Sequence, residues 1–277
     1  IYTINMNKSV IESVGEFFPP PIESYGIPIN SIAINVWDDL FFLCDNGKIR
    51  YINLKKDSDS SCDTQELTIT GESIISDMDI RNIQFNGCGS ILMIWGKQFL
   101  GAVLLPRAYS LDGGTSPGTE GLKCELKPLW SSSDGSSIKK AMWHPLSDKH
   151  IVILTDNSKL CVIDVVQTEM QEYVLDPSTN YVSFCFGPDL DWLRLAVVLL
   201  DDEGQLSLLC PILPVGAVVP GHIVEQLSDW SQEMNALHMD YNSDEAGDSK
   251  ASWESYREMV SLYLRSAFGM GSNSAPK

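Results

Sequence analysis

The sequence has no long apolar run and little positive charge, and each shortage excludes a class of function. A membrane-spanning helix needs roughly 20 consecutive apolar residues. The longest apolar stretches here, 195–200 and 206–219, are short or interrupted by proline. Lysine and arginine number 19 against 37 aspartates and glutamates, which gives a net charge of −18 over 277 residues. Because no apolar run is long enough, we expect no membrane insertion. Neutralising the phosphates of nucleic acid or of a lipid surface requires a basic surface, so we also expect no direct binding of nucleic acid and no docking on an anionic membrane.

Short motifs of common catalytic and metal sites are also missing. No Cys-x-x-Cys pair occurs, and the four histidines have no partner at metal-ligand spacing: His144, His150, His222 and His238. The sequence contains neither a Gly-x-x-x-x-Gly-Lys-[Ser/Thr] phosphate loop nor a Gly-x-Ser-x-Gly nucleophile motif. We therefore expect no enzyme activity, no cofactor and no metal site.

Seven cysteines are present, an odd number at wide spacings. Four of them lie inside apolar runs and are predicted to be buried free thiols: Cys44, Cys161, Cys185 and Cys210. Free thiols are typical of a reducing, intracellular compartment. The chain begins at Ile1 without an initiator methionine, so we expect it to be a fragment of a longer protein.

Four segments share one pattern of short strands and turns: residues 31–54, 80–105, 138–165 and 181–210. Each contains a strand, a turn, a continuous apolar strand, a tight turn and an alternating strand. The tight turns recur near residues 45, 96, 156 and 202, at a spacing of roughly 46 to 60 residues. A propeller blade has roughly 40–50 residues, so this spacing is compatible with one blade per segment. Outer fourth strands are predicted at 65–70, 124–130 and 171–175. The pattern predicts an all-β, WD-type β-propeller over residues 1–220, with a β-sandwich as the alternative.

After Pro220 the apolar residues change to helical spacing. Residues 223, 227, 230, 234 and 237 share one helical face, and a second face runs from Trp253 to Leu264. Residues 221–277 are therefore predicted to form a helical pair, inserted in or appended to the propeller, and a flexible tail. The pair either caps the propeller or forms a partner-binding groove with Trp230, Met234 and Trp253, because tryptophan and methionine are favoured at such surfaces.

The stretch from Trp143-His144-Pro145 through His150 to the Asp156-Asn turn is the most specific pattern in the chain. An aromatic residue ends the inner strand, proline fixes the turn, and an apolar strand leads into a tight turn. This stretch resembles the N-terminal propeller of the nucleoporin 88 family, the counterpart of fungal nucleoporin 82. Weaker similarities flank it, at 83–89 with 103–107 and at 184–188 with 199–210, so the resemblance covers roughly residues 80–215.

The resemblance implies a seven-bladed propeller that is incomplete in this chain. It further implies a structural subunit on the cytoplasmic side of the nuclear pore complex, at the nuclear envelope. Such a subunit holds nucleoporins of the nucleoporin 214 type (159 in fungi) and the nucleoporin 98 type (116 in fungi), and it supports protein and mRNA export without catalysis. Trp143, His144 and Pro145 are then structural residues, with Trp143 buried between blades.

Two alternatives remain open. A generic WD-type adaptor in another intracellular complex has the same fold with different partners. A propeller hydrolase would cluster carboxylates or histidines around the central channel.

Overall fold

Strands make up nearly all the regular structure that the computed structural model describes. The described residues are 31–44, 48–54, 64–70, 79–106, 122–188 and 191–215, with the single positions 221 and 225. Contacts divide them into two units, one of residues 31–185 and 198–208 and the other of 186–197 and 209–215.

The described ranges contain fifteen strands and one 3-10 helix. In chain order they are β1 (Ile32–Ile34), β2 (Asp39–Leu43), β3 (Ile49–Asn53), β4 (Gln65–Thr70), β5 (Ile80–Phe85), β6 (Ile91–Gly96), β7 (Phe99–Leu104), β8 (Lys123–Ser131), β9 (Ile138–Trp143), β10 (His150–Thr155), β11 (Lys159–Asp164), β12 (Met170–Val174), β13 (Tyr181–Phe186), the 3-10 helix (Asp191–Leu195), β14 (Val197–Asp201) and β15 (Leu206–Leu209).

The strands form three sheets that follow the four sequence repeats. We call β1–β4 blade 1, β5–β8 blade 2, β9–β12 blade 3 and β13–β15 partial blade 4. Consecutive strands within blade 3 are antiparallel, in the order β12-β11-β10-β9, and partial blade 4 has the order β13-β14-β15. Tight turns connect the middle strands, with Ser158 and Gly204 at positive φ (56° and 84°). The outer strands predicted at 65–70, 124–130 and 171–175 are present as β4, β8 and β12.

Blades 1 and 2 are joined into one eight-stranded sheet through their outer strands. Its order is β1-β2-β3-β4-β8-β7-β6-β5, and the β4–β8 pair is parallel, with Thr68 opposite Lys123 and Thr70 opposite Glu125. The Thr68 amide donates to the Leu122 carbonyl at 2.8 Å. The outer edge of one blade in this protein therefore accepts another strand, which the sequence pattern does not predict.

The core lies between neighbouring blades. Every residue of the middle strands β2, β6 and β10 is buried, as their continuous apolar sequences predict. Between blades 1 and 2, Phe41 stacks on Tyr51 at 5.2 Å between ring centroids and meets Phe85 edge-on at 5.1 Å. A second cluster joins blade 2 to blade 3 around Trp95 and Ile153. Burial of apolar side chains on both faces of the middle strands is the main contribution to the stability of this stack.

The prediction for the cysteines is half right. Cys44 and Cys161 are buried free thiols, and burial raises the pKa of Cys161 to about 11. Cys185 and Cys210 are exposed, so their predicted burial is wrong. Cys185 follows the buried Phe184 along β13 and points to the opposite face, while Cys210 follows the exposed strand β15.

Several predictions fall outside the described residues. They include the tight turn at 45–47, the helical pair over 221–277 and the N-terminal strands. The division of the chain at residue 220 and the number of blades stay predictions. In the ranges that the structure describes, no helix is both long and apolar enough to cross a bilayer.

Candidate interaction surfaces

Trp143 joins blade 3 to blade 2. It is the last residue of β9, only 8% exposed, and packs in the cluster that includes Ile91 and Met93 of β6. Its indole Nε1–H donates to the Gln84 carbonyl of β5 at 3.1 Å. A buried tryptophan needs a partner for its N–H, and a backbone carbonyl of the neighbouring blade provides it here.

The residues after Trp143 close a turn back onto β10. The His144 amide donates to the His150 carbonyl at 2.9 Å, and the Ser147 amide donates to the His144 carbonyl at 3.1 Å. The His144 ring is buried, and its Nδ1 accepts from the Leu146 amide at 3.2 Å. Pro145 is exposed at the tip. The geometry gives this turn a structural role.

A second set of polar contacts connects blades 2 and 3 through their loops. The Asn86 side-chain amide donates to the Asp148 carbonyl at 2.9 Å, and the Cys88 amide donates to Asp148 Oδ1 at 3.1 Å. A Cβ added at Gly87 would lie 2.9 Å from the same carboxylate oxygen. Glycine at 87 therefore lets the β5–β6 turn approach Asp148 closely.

Ser147, His150 and Asp164 form a polar network in blade 3, in which His150 and Asp164 are buried and Ser147 is half-buried. Ser147 Oγ lies 2.7 Å from His150 Nδ1, and His150 Nε2 lies 3.4 Å from Asp164 Oδ2. The Lys149 ammonium lies 3.1 Å from the same carboxylate oxygen. The other carboxylate oxygen accepts from the amides of Val166 and Gln167 at 2.7 and 3.0 Å.

Ser, His and Asp in contact also occur in hydrolases, but this arrangement is built to hold turns. His150 is only 2% exposed, and its two ring nitrogens already lie beside Ser147 Oγ and Asp164 Oδ2. Burial raises the pKa of Asp164, but the amides of Gln167 and Val166, the Lys149 ammonium and the His150 ring outweigh it and lower the pKa overall. The hydrogen bonds and ion pairs among Ser147, His150 and Asp164 connect the β9–β10 turn to the β11–β12 turn. Among the described residues, no group of three or more potential ligands could hold a metal ion.

A concave surface lies between the inner strands of blades 1 and 2. β1 and β5 are the two edges of the eight-stranded sheet, and they border a groove of about 410 Å³. Its surface is polar and apolar in about equal parts: the exposed Ile32 and Val36 lie beside Asn35, Gln84 and Asn86.

The residues predicted to bind a partner, Trp230, Met234 and Trp253, lie outside the described residues. Sequence reasoning did not find Asp148 or the pairing of His150 with Asp164. One signal was available, because Asp164 ends a strand directly before a turn, where a carboxylate commonly accepts backbone amides.

The chain was compared with protein-family models and with known proteins, and one of these proteins is similar to it in sequence. No protein-family model matches the chain. The nuclear pore complex protein NUP88 of Arabidopsis thaliana is 30% identical over 154 residues, covering 50% of this chain and 19% of that protein. The resemblance predicted from the sequence is confirmed. This chain is similar to NUP88.

Two solved structures show the same fold. One is a chain of the heterotrimeric Nup82 NTD–Nup159 TAIL–Nup145N APD complex of Chaetomium thermophilum. It has a TM-score of 0.68 at 15% identity, covering 100% of this chain and 57% of that chain. The other is a chain of the yeast Nup82–Nup159–Nup116 complex, with a TM-score of 0.50 at 19% identity, covering 88% and 55%. This chain thus spans about a fifth of the length of its curated relative and little more than half of the length of the structural ones. The relatives' names agree with the localisation predicted from the sequence, the nuclear pore complex.

Proposed function

We propose that this chain is the propeller portion of a structural nucleoporin at the cytoplasmic side of the nuclear pore complex. There it holds other nucleoporins and so supports protein and mRNA export. The observation that carries the proposal is the 30% identity to NUP88 over 154 residues. The fold shared with the Nup82 complexes supports it independently.

The proposed partners are nucleoporins of the 214/159 type and the 98/116 type. The solved complexes contain Nup159 with either Nup145N or Nup116. The net charge of −18 supports protein partners over nucleic acid.

We infer a scaffold that performs no catalysis. The support is the geometry of the Ser147–His150–Asp164 network, in which each group is bonded to hold a turn. A binding protein needs such rigid turns because its loops and blade faces present the contact surface.

Trp230, Met234 and Trp253 are the proposed partner contacts. We expect the double variant Trp230→Ala with Trp253→Ala to abolish capture of a Nup159-type tail by the full-length protein and to leave the melting temperature unchanged. Large aromatic side chains at the centre of an interface contribute about 2 kcal/mol or more each to binding. The measurement is a pull-down from purified components, with thermal melting of the same preparations.

The outcome separates a groove from a cap. A lower melting temperature with undiminished capture would show that these side chains cover the propeller instead, and would refute their role as contacts.

A further inference from the structure

Within the part of the chain that the structure describes, the outer edge of blade 3 has no neighbouring strand, whereas the outer edges of blades 1 and 2 pair with each other. β12 is the last strand of its sheet, and no described strand lies beyond it. The Asp164 amide donates to the Glu169 carbonyl and the Leu175 amide donates to the Ser158 carbonyl, both at 2.9 Å. Residues 169 and 175 therefore face β11, and by alternation the backbone N–H and C=O groups of Met170, Glu172 and Val174 face outward.

Exposed apolar side chains accompany these outward backbone groups. Val174 is 79% exposed, Val166 is 60% exposed and Met170 is 43% exposed. An edge strand with free backbone groups and exposed apolar side chains is a template for an additional strand unless charge or shape blocks it.

Charge decides which strand fits. Glu169, Glu172 and Asp176 lie along or beside this edge, and within the described residues Lys159 is the cation paired with Glu172, at 2.9 Å. In an antiparallel pair of two β12 strands centred on Glu172, that residue would face its own copy. Like charges directly opposite destabilise a strand pair, and each copy carries −18 overall. A second copy of this chain is therefore a poor occupant, whereas a strand with basic residues is complementary.

We propose that β12 is a docking edge for an extended segment of a partner protein that carries a basic residue between two apolar residues on one face, at positions i, i+2 and i+4. The segment adds a fifth strand to blade 3. Its backbone bonds to Met170, Glu172 and Val174, whose side chains share one face of β12. On that face its basic side chain approaches Glu172, and its apolar side chains cover Val174 and Met170. The parallel β4–β8 pair shows that an outer edge of this protein accepts such a strand. The proposal does not rest on the identity of the protein as a nucleoporin.

The test uses a fluorescent peptide of about seven residues, Thr-Val-Thr-Lys-Thr-Val-Thr, a length that matches one strand and a pattern that places the lysine between the two valines on one face. Fluorescence anisotropy with the whole chain measures its dissociation constant. Val174→Pro removes one outward N–H without taking a bond from the β11–β12 ladder, because proline is tolerated at outward positions of edge strands. We expect this variant to bind at least about tenfold more weakly, the effect of about 1.4 kcal/mol.

The matched control is Leu208→Pro. Leu208 is 58% exposed on β15, the edge of partial blade 4. The Asp201 amide donates to the Gln205 carbonyl at 3.1 Å, so residue 205 faces β14 and residue 208 faces outward. This variant should bind the peptide as the wild type does. Val174→Lys, a change at a surface position that leaves the strand pairing intact, is the second test, and it should weaken binding by placing like charge against the peptide.

Two further peptides separate strand addition from simple charge attraction. A peptide with glutamate in place of the lysine should not bind, and a peptide with proline in place of a threonine beside the lysine should bind far more weakly than the parent. The proposal is overturned by equal binding to wild type and to both Val174 variants, by no binding at millimolar peptide, or by a loss of binding in Leu208→Pro alone. Self-association of the wild type that Val174→Pro abolishes would identify a second copy as the occupant and would overturn it as well.

Discussion

Replacing Trp143 with alanine is expected to lower the free energy of unfolding by about 3–5 kcal/mol. The change empties the space between blades 2 and 3 around Ile91 and Met93, and it leaves the Gln84 carbonyl without the indole donor at 3.1 Å. Urea unfolding followed by circular dichroism should show the transition midpoint shifted to lower denaturant, with a similar slope.

Trp143→Phe is the matched control, which separates the contribution of packing from that of the hydrogen bond. Phenylalanine keeps most of the apolar surface and lacks the N–H, so we expect a loss of about 1–2 kcal/mol. An unchanged midpoint in Trp143→Ala would contradict the position of this residue between the blades.

Removing the Asp164 carboxylate is expected to cost about 2–4 kcal/mol, the second largest effect. Asp164→Ala takes acceptors from the amides of Val166 and Gln167 and removes the anion beside the buried His150 and the Lys149 ammonium. Thermal and urea unfolding measure the loss. Asp176→Ala is the control, since Asp176 is exposed and its carboxylate accepts hydrogen bonds from its near neighbours Ser178 and Thr179. A loss no greater than in that control would show that the network contributes little.

The contribution of Asp164 should also depend on pH in a defined direction. Although burial alone raises its pKa, the surrounding amides, Lys149 and His150 lower it below the ordinary value of 3.8. A group with a lowered folded-state pKa contributes stability above its unfolded-state pKa, and that contribution is lost as the pH falls through the folded-state value. The difference in unfolding free energy between wild type and Asp164→Ala should therefore be full at neutral pH and shrink below about pH 4.

Local features of the fold could be predicted from the sequence. The run from Ile151 to Leu154 is apolar at every position and is followed by Asp156-Asn157, and the structure has a fully buried strand and then a tight turn there. The strand pattern and the turn chemistry act over a few residues, so a short window contains the information.

Contacts between distant residues could not be predicted in the same way. Trp143 and Gln84 are 59 residues apart, and Thr70 donates to the carbonyl of Cys124, 54 residues away. Nothing in a local pattern specifies which outer strand pairs with which, so the joining of blades 1 and 2 through β4 and β8 was not foreseen. The same limit explains why the predicted burial of Cys185 is wrong. Its apolar neighbours in the sequence do not determine which face of β13 is covered.

The location of the full-length protein in cells tests the central claim most directly. A fluorescent tag on the full-length protein, imaged in live cells beside a marker of the nuclear envelope, should give a continuous rim around the nucleus. The scaffold role in the nuclear pore complex requires that rim. Diffuse cytosolic fluorescence, or concentration at another structure, would contradict the account and would favour a propeller adaptor in a different complex.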